Sequence, residues 1–274
     1  MKKRLLPLLF AALAPVMNAA PIEAWDDIYV TGRFSYTSEH VFRGFKQSNA
    51  AFQFFGEVSY PVYQGNIYTG LFYNQPLADA DKSSEFDFHL GYVFPLTKEL
   101  LIDFGQLYYW YPQGNTGAPA QRGAGYLRGT SRSTETFLGF CYDTSPVLVG
   151  INLNPALYYY YDWNVDKHTV EGSLAYVWDL SGLAGLKGLS LTPRGFFGYQ
   201  SASRPYGDTG ALQDFFRRSE SLYYGASLTL DWRLNDYTGF YLACFYTGNY
   251  DTGGNPYRHE NNFVGASVGV KFDL

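Results

Sequence analysis

The chain has 274 residues, of which 46% are hydrophobic, 19% aromatic and only 16% charged, with a formal net charge of −5. So much aromatic content excludes a disordered chain, and without a basic stripe no nucleic-acid partner is expected. No apolar run of about 18 residues is present to cross a bilayer as a helix.

The first segment reads as an address. Lys2, Lys3 and Arg4 precede an apolar run from Leu5 to Val16, and small residues follow at Ala19 and Ala20. This is the layout of a secretory signal peptide. Residues 1–19 are therefore expected to be removed and residues 20–274 to form the exported protein.

From residue 28 onward the hydrophobic period is two rather than 3.6, the mark of strands. Strands are expected at 28–37, 51–60, 67–74, 84–94, 100–111, 134–142, 147–161, 169–180, 189–200, 221–233, 240–250 and 262–274. The clearest runs Phe86, Phe88, Leu90, Tyr92, Phe94, alternating with Glu85, Asp87, His89, Gly91 and Val93. Successive side chains on a strand point to opposite faces. Pro155 and Pro193 fall inside two of these segments and predict a bulge at each, because proline lacks a ladder donor.

The connections alternate between short turns and longer loops. An even strand count with that alternation is the pattern of a bacterial outer-membrane barrel. A sheet within a bilayer tolerates no open edge, so closure is required. The fold class expected is all-β: a closed antiparallel transmembrane β-barrel of about twelve strands in the outer membrane. Tyr and Trp near strand ends would sit at the lipid and lipopolysaccharide boundary. The final strand alternates through Ala266, Val268, Val270 and Phe272 to Leu274. Such a strand suits the barrel-assembly machinery, with the usual terminal aromatic displaced to Phe272.

Parity then assigns the channel lining. Arg33, Glu57, Glu85, Asp87, His89, Asp103, Glu135, Glu171, Asp179, Arg194, Asp231, Arg233 and Lys271 fall on the inward face. Twelve strands leave an opening of about 12 Å or less. A wet, partly paired lumen in which acids outnumber bases predicts a porin-like path for small hydrophilic solutes, weakly preferring cations. The longest loop, 112–133, carries Arg122, Arg128 and Arg132 without an acid. It is a candidate constriction loop, or else a basic loop that meets lipopolysaccharide phosphates outside. Cys141 and Cys244 read as packed small residues, and no Cys/His cluster has metal-ligand spacing. No cofactor, metal or catalytic residue is expected. The alternatives are a structural or surface-exposed barrel without conduction, and a barrel hydrolase acting on lipid, for which no serine shares a face with His89.

Phe42-Arg43-Gly44-Phe45-Lys46-Gln47-Ser48 resembles the F-R-G-x-x-Q-[ST] signature of the TorF-type porin family of Gram-negative outer membranes. Gly105 through Tyr108-Tyr109-Trp110-Tyr111-Pro112 is similar to a second segment of that family, and Glu85 to Tyr92 lies where the family has an acidic, alternating strand. The family usually has Tyr where this chain has His40. The resemblance covers residues 36–112 and implies an outer-membrane channel. Two roles are open for Phe42, Arg43, Gly44 and Gln47: a turn that needs Gly44 for positive φ, or a pin in which Arg43 reaches a lumen carboxylate.

Overall fold

The computed structural model describes residues 28–77, 84–112, 132–144, 153–164, 166–182, 186–202, 219–251 and 261–274. Residues 1–27, and with them the expected signal peptide, lie outside that set. The barrel strands are β1 (Tyr29–Thr37), β4 (Ala51–Val62), β5 (Gly65–Pro76), β6 (Glu85–Pro95), β7 (Leu100–Trp110), β8 (Arg132–Tyr142), β9 (Leu153–Asp162), β10 (Lys167–Tyr176), β12 (Leu189–Ala202), β13 (Ser219–Arg233), β14 (Thr238–Asp251) and β15 (Asn261–Asp273). Each pairs antiparallel with its chain neighbour, and β1 pairs with β15, so the sheet closes as a twelve-stranded barrel. Reciprocal backbone hydrogen bonds between Val30 and Leu274, 3.0 and 2.7 Å, tie the two ends of the chain together. They lie at the end with the shorter turns.

Alternation sets the two faces. On β6, Glu85, Asp87 and His89 are buried, while Phe88 and Leu90 are among the exposed apolar side chains. Leu138 and Leu174 are exposed on the outer face in the same way, while Glu135 and Glu171 are buried. A one-residue slip would invert both faces, so this registry supports the lipid-facing assignment along the whole sheet.

The prolines behave differently from expectation. The β10–β12 ladder stops at Ala175↔Arg194 and resumes in the two-residue β11 (Trp178–Asp179) at Trp178↔Leu191. The register on the two sides is the same. Pro193 therefore interrupts the ladder without inserting a residue, because it withholds one N–H. Pro155 keeps its pairing with Leu174, and the β8–β9 ladder ends one residue away at Ala156. Neither is a bulge. The cysteines are both free, and Cys244 is exposed on the outer face, so it is not packed as expected.

Two further strands stand inside the ring. β2 (His40–Phe42) and β3 (Phe45–Ser48) form a hairpin within the first loop. Its two-residue tip, Arg43-Gly44, has φ of 47° and 77°. Positive φ at both central residues is the turn that matches strand twist. Gly44 adopts it freely, whereas the arginine bears a cost of about 1–3 kcal/mol.

Candidate functional site

The hairpin tip lies inside the barrel near the long-loop end. Arg43 makes a bidentate pair with Glu135 of β8, at 2.7 and 2.9 Å. Arg43 is 4% exposed and Glu135 1%, so the pair is removed from bulk solvent. Tyr109 donates to Glu135 at 2.9 Å, and Lys167 lies 3.4 Å from it. The guanidinium also sits 4.3 Å from the Tyr160 ring centroid and 4.7 Å from that of Phe42. A buried charge is tolerable only with such a set of partners. On the other side of the tip, Asn249 of β14 donates to the Gly44 carbonyl. A Cβ at Gly44 would lie 2.6 Å from the Gly248 carbonyl oxygen and 2.7 Å from Tyr223 Cβ, so only glycine fits there. β8 lies five places round the ring from β1 in one direction and β14 two in the other. The hairpin is thus a spoke braced against separate parts of the wall.

Both roles open for the Phe42-Arg43-Gly44 motif are present together: the turn has positive φ and the arginine holds a lumen carboxylate. The two other segments singled out with it converge on the same place. His40 reaches Glu85 at 3.2 Å, Tyr111 donates to Glu85 at 2.8 Å, and the Phe42 ring lies 6.0 Å from Tyr109. Gln47 is buried and donates to the Phe45 carbonyl within the hairpin.

The remaining inward residues are mostly paired. His89 and Glu57 are 2.8 Å apart, and the His89 ring stacks on Phe55. Tyr68 and Tyr158 donate to the two oxygens of Asp103, at 2.6 and 2.9 Å. Glu171 takes Tyr223 at 2.9 Å and Arg194 at 3.4 Å. Lys271 holds Asp231, and Arg233 reaches Asp273 at 3.3 Å. Asp87 is 1% exposed, with one carboxylate oxygen lacking a protein partner.

Three expectations are corrected. The inward face is not uniformly polar or small: Tyr68, Val93, Leu107, Tyr109, Phe137, Tyr158 and Tyr160 form a buried cluster inside the β5–β10 side. Tyr68, Tyr158 and Tyr223 each lie on a glycine of the next strand, Gly91, Gly139 and Gly198, where any larger residue would overlap the ring. Such packing replaces the wet bore of about 12 Å on that side. Asp179 is exposed at the short-turn end, where the Ser181 hydroxyl and N–H hold its carboxyl below the usual carboxylate range, so it does not line the lumen. Arg132 is exposed on the outward parity of β8 and does not face the acidic wall, while Arg122 and Arg128 lie outside the described residues. Among the described residues, the loop that enters the barrel is the first one.

The β12–β15, β1 and β4 side is built from smaller groups. A cavity of about 100 Å³ opens there beneath the hairpin. Arg33, Thr37, Ser227, Thr229, Thr247 and Ser267 are among the side chains that line it. It has room for several waters.

Tyr68, Tyr158, Lys167, Tyr223 and Asn249 are not marked by any motif or spacing in the sequence. A short alternating run on either side of Arg43-Gly44 was the available sign of the hairpin. No local sign pointed to the wall residues, which come from distant strands.

No family model matches the chain, and no curated protein matches it. Among solved structures, the fold is similar to the NanC porin, with a TM-score of 0.51, 13% identity, and coverage of 89% of this chain and 100% of that one. It is also similar to the KdgM porin (TM-score 0.44, 9% identity, 89% and 98% coverage) and to LpxR from Salmonella typhimurium (0.47, 10%, 88% and 99%). The architecture is that of an outer-membrane β-barrel.

Proposed function

We propose that this protein is a narrow porin-like channel of the bacterial outer membrane, of the TorF type, through which small hydrophilic solutes diffuse past the first-loop hairpin. The observation that carries the reading is the spoke itself. A hairpin pinned by Arg43–Glu135 and Gly44–Asn249 inside a closed barrel fills part of the lumen and leaves beside it a cavity lined by both polar and aromatic side chains. A purely structural barrel has no need for such a partition. The fold shared with a protein described as a porin agrees with it.

The excess of inward acids behind the expected weak cation preference is reduced by pairing, since Glu135, Glu171 and Asp231 hold Arg43, Arg194 and Lys271, while Asp103 accepts only from tyrosine hydroxyls among the described residues. The hydrolase reading has less support. Among the described histidines, His40 and His89 each face a glutamate and His168 bonds Tyr159, with no serine, threonine or cysteine partner.

Planar-bilayer recording with the purified protein tests the proposal. The expected result is small, discrete conductance steps that enlarge severalfold when Arg43→Ala and Gly44→Val together release the hairpin. Absence of steps in both proteins would overturn it in favour of a non-conducting barrel.

A further inference from the structure

Arg33 differs from the other cations of the lumen. Arg43, Arg194 and Lys271 each hold a carboxylate. Arg33 instead lies between two rings, its guanidinium carbon 5.8 Å from the Phe55 centroid and 5.7 Å from that of Tyr241. Its ladder partners are Phe55 on β4 and Lys271 on β15, neither of which can neutralise it. The nearest acids along those strands are turned elsewhere. Glu57 takes His89 at 2.8 Å. Asp273 accepts from Thr31 at 3.0 Å and faces Arg233 at 3.3 Å. Lys271 occupies Asp231. Among the described residues, Arg33 forms no hydrogen bond and no ion pair. Among the described residues, Arg33 thus stands on the cavity wall without a carboxylate of its own, while Lys271 and Arg233 hold Asp231 and Asp273.

An unmatched charge inside a protein needs water or a counter-ion. Rings within about 6 Å attract a guanidinium without consuming its N–H donors, and its N–H edge matches the two oxygens of a carboxylate or phosphate. The same cavity is lined by the hydroxyls of Ser227, Thr229 and Ser267, which can donate to further oxygens. Glu39 and His40 also line it: Glu39 Oε1 holds Lys46 at 2.8 Å while its Oε2 has no protein partner, and His40 faces Glu85.

We infer that Arg33, braced by Phe55 and Tyr241 in a cavity also lined by Ser227, Thr229 and Ser267, is a binding site for the carboxylate or phosphate group of a small solute. The inference rests on the channel reading and names the solute class: organic acids or phosphate compounds rather than cations.

Nuclear magnetic resonance line broadening with the full chain folded in detergent tests it, using 13C-acetate in one arm and inorganic phosphate in the other. The expected result is broadening in the wild type and in Arg132→Gln, whose lost charge lies outside the barrel, that falls about fivefold or more in Arg33→Gln. Broadening in one arm alone would support the site and identify which oxyanion it takes. Gel mobility of unheated samples verifies folding, and Arg33→Met, an apolar chain that fits between the two rings, serves if Arg33→Gln does not fold. Equal broadening in the wild type and the Arg33 variant, or equal loss in Arg132→Gln, would overturn the site. Bilayer recordings separate the two readings. Arg33-dependent broadening without current supports the site and overturns the channel; current without Arg33-dependent broadening supports the channel and overturns the site.

Discussion

The two sides of the lumen solve the same problem in opposite ways. From β5 to β10, acids are kept dry: Asp103 sits under Tyr68 and Tyr158, and Glu135 under Arg43 and Tyr109, within a wall of rings. From β12 through β15 to β1 and β4, serine, threonine and alanine alternate with Phe55, Phe196, Tyr241 and Phe245 around a cavity, and Arg33 is left without an acid. Ions on the first side have fixed protein partners, whereas on the second Lys271, Arg233 and Arg194 have them and the half-buried Arg33 does not. The first side therefore behaves as core, sensitive to the loss of any one partner. The second behaves as a surface folded inward, tolerant in stability and sensitive in solute passage.

The largest effect expected from breaking this contrast is at the spoke. Arg43→Ala leaves Glu135 buried with less compensation, a loss of about 3–5 kcal/mol for a buried pair. The urea midpoint of the folded barrel should fall, and conductance should rise as the hairpin leaves the wall. Next is a test of which face meets lipid. Phe88→Arg on the outer face should cost about 2–4 kcal/mol near the bilayer midplane, seen as reduced folding into lipid vesicles, and normal folding would refute the inside–outside assignment. A matched pair of hydroxyl deletions then compares the two sides directly. Tyr158→Phe withdraws a donor from buried Asp103 and should cost about 1–3 kcal/mol, whereas Thr229→Val on the cavity side should stay within about 0.5 kcal/mol. Equal costs in urea unfolding would erase the distinction. The smallest expected effect is electrical. Arg33→Gln should lower the chloride-to-potassium permeability ratio about sevenfold, because one charge roughly 7 Å from the path in water shifts each ion about threefold in opposite directions. That change should fade at 1 M salt, where screening falls to about 3 Å.

How much of this was written locally in the chain follows from what each feature depends on. The barrel and its two faces rest on alternation within single strands, and Glu85, Phe86, Asp87 and Phe88 display that parity without help from the rest of the molecule. The hairpin was half visible, since Arg43-Gly44 between short runs is turn chemistry. Its anchors were not, because Glu135 and Asn249 lie 92 and 205 residues away in the sequence from Arg43 and Gly44. The content of the lumen was misread for a related reason. Tyr109, Tyr158 and Tyr160 share inward parity with Asp103 and Glu135, but alternation gives no measure of how far across the barrel a ring reaches. Which strands meet across a barrel depends on tilt and stagger of the closed sheet, and no single segment records those. Partial pairing of the inward charges is legible in the sequence, but not which partner each acid takes, because that partner stands on another strand.

The hairpin also constrains the order of events during assembly. It leaves β1 early in the chain, yet one of its anchors is on β8 and the other is on β14, next to the strand that closes the ring. Bringing such distant segments together carries a loop-closure cost that falls away once the intervening strands are paired. The hairpin therefore cannot settle on a half-built sheet. Its docking is a late step that reports a completed circumference, and a nascent barrel would remain open through its middle until that step.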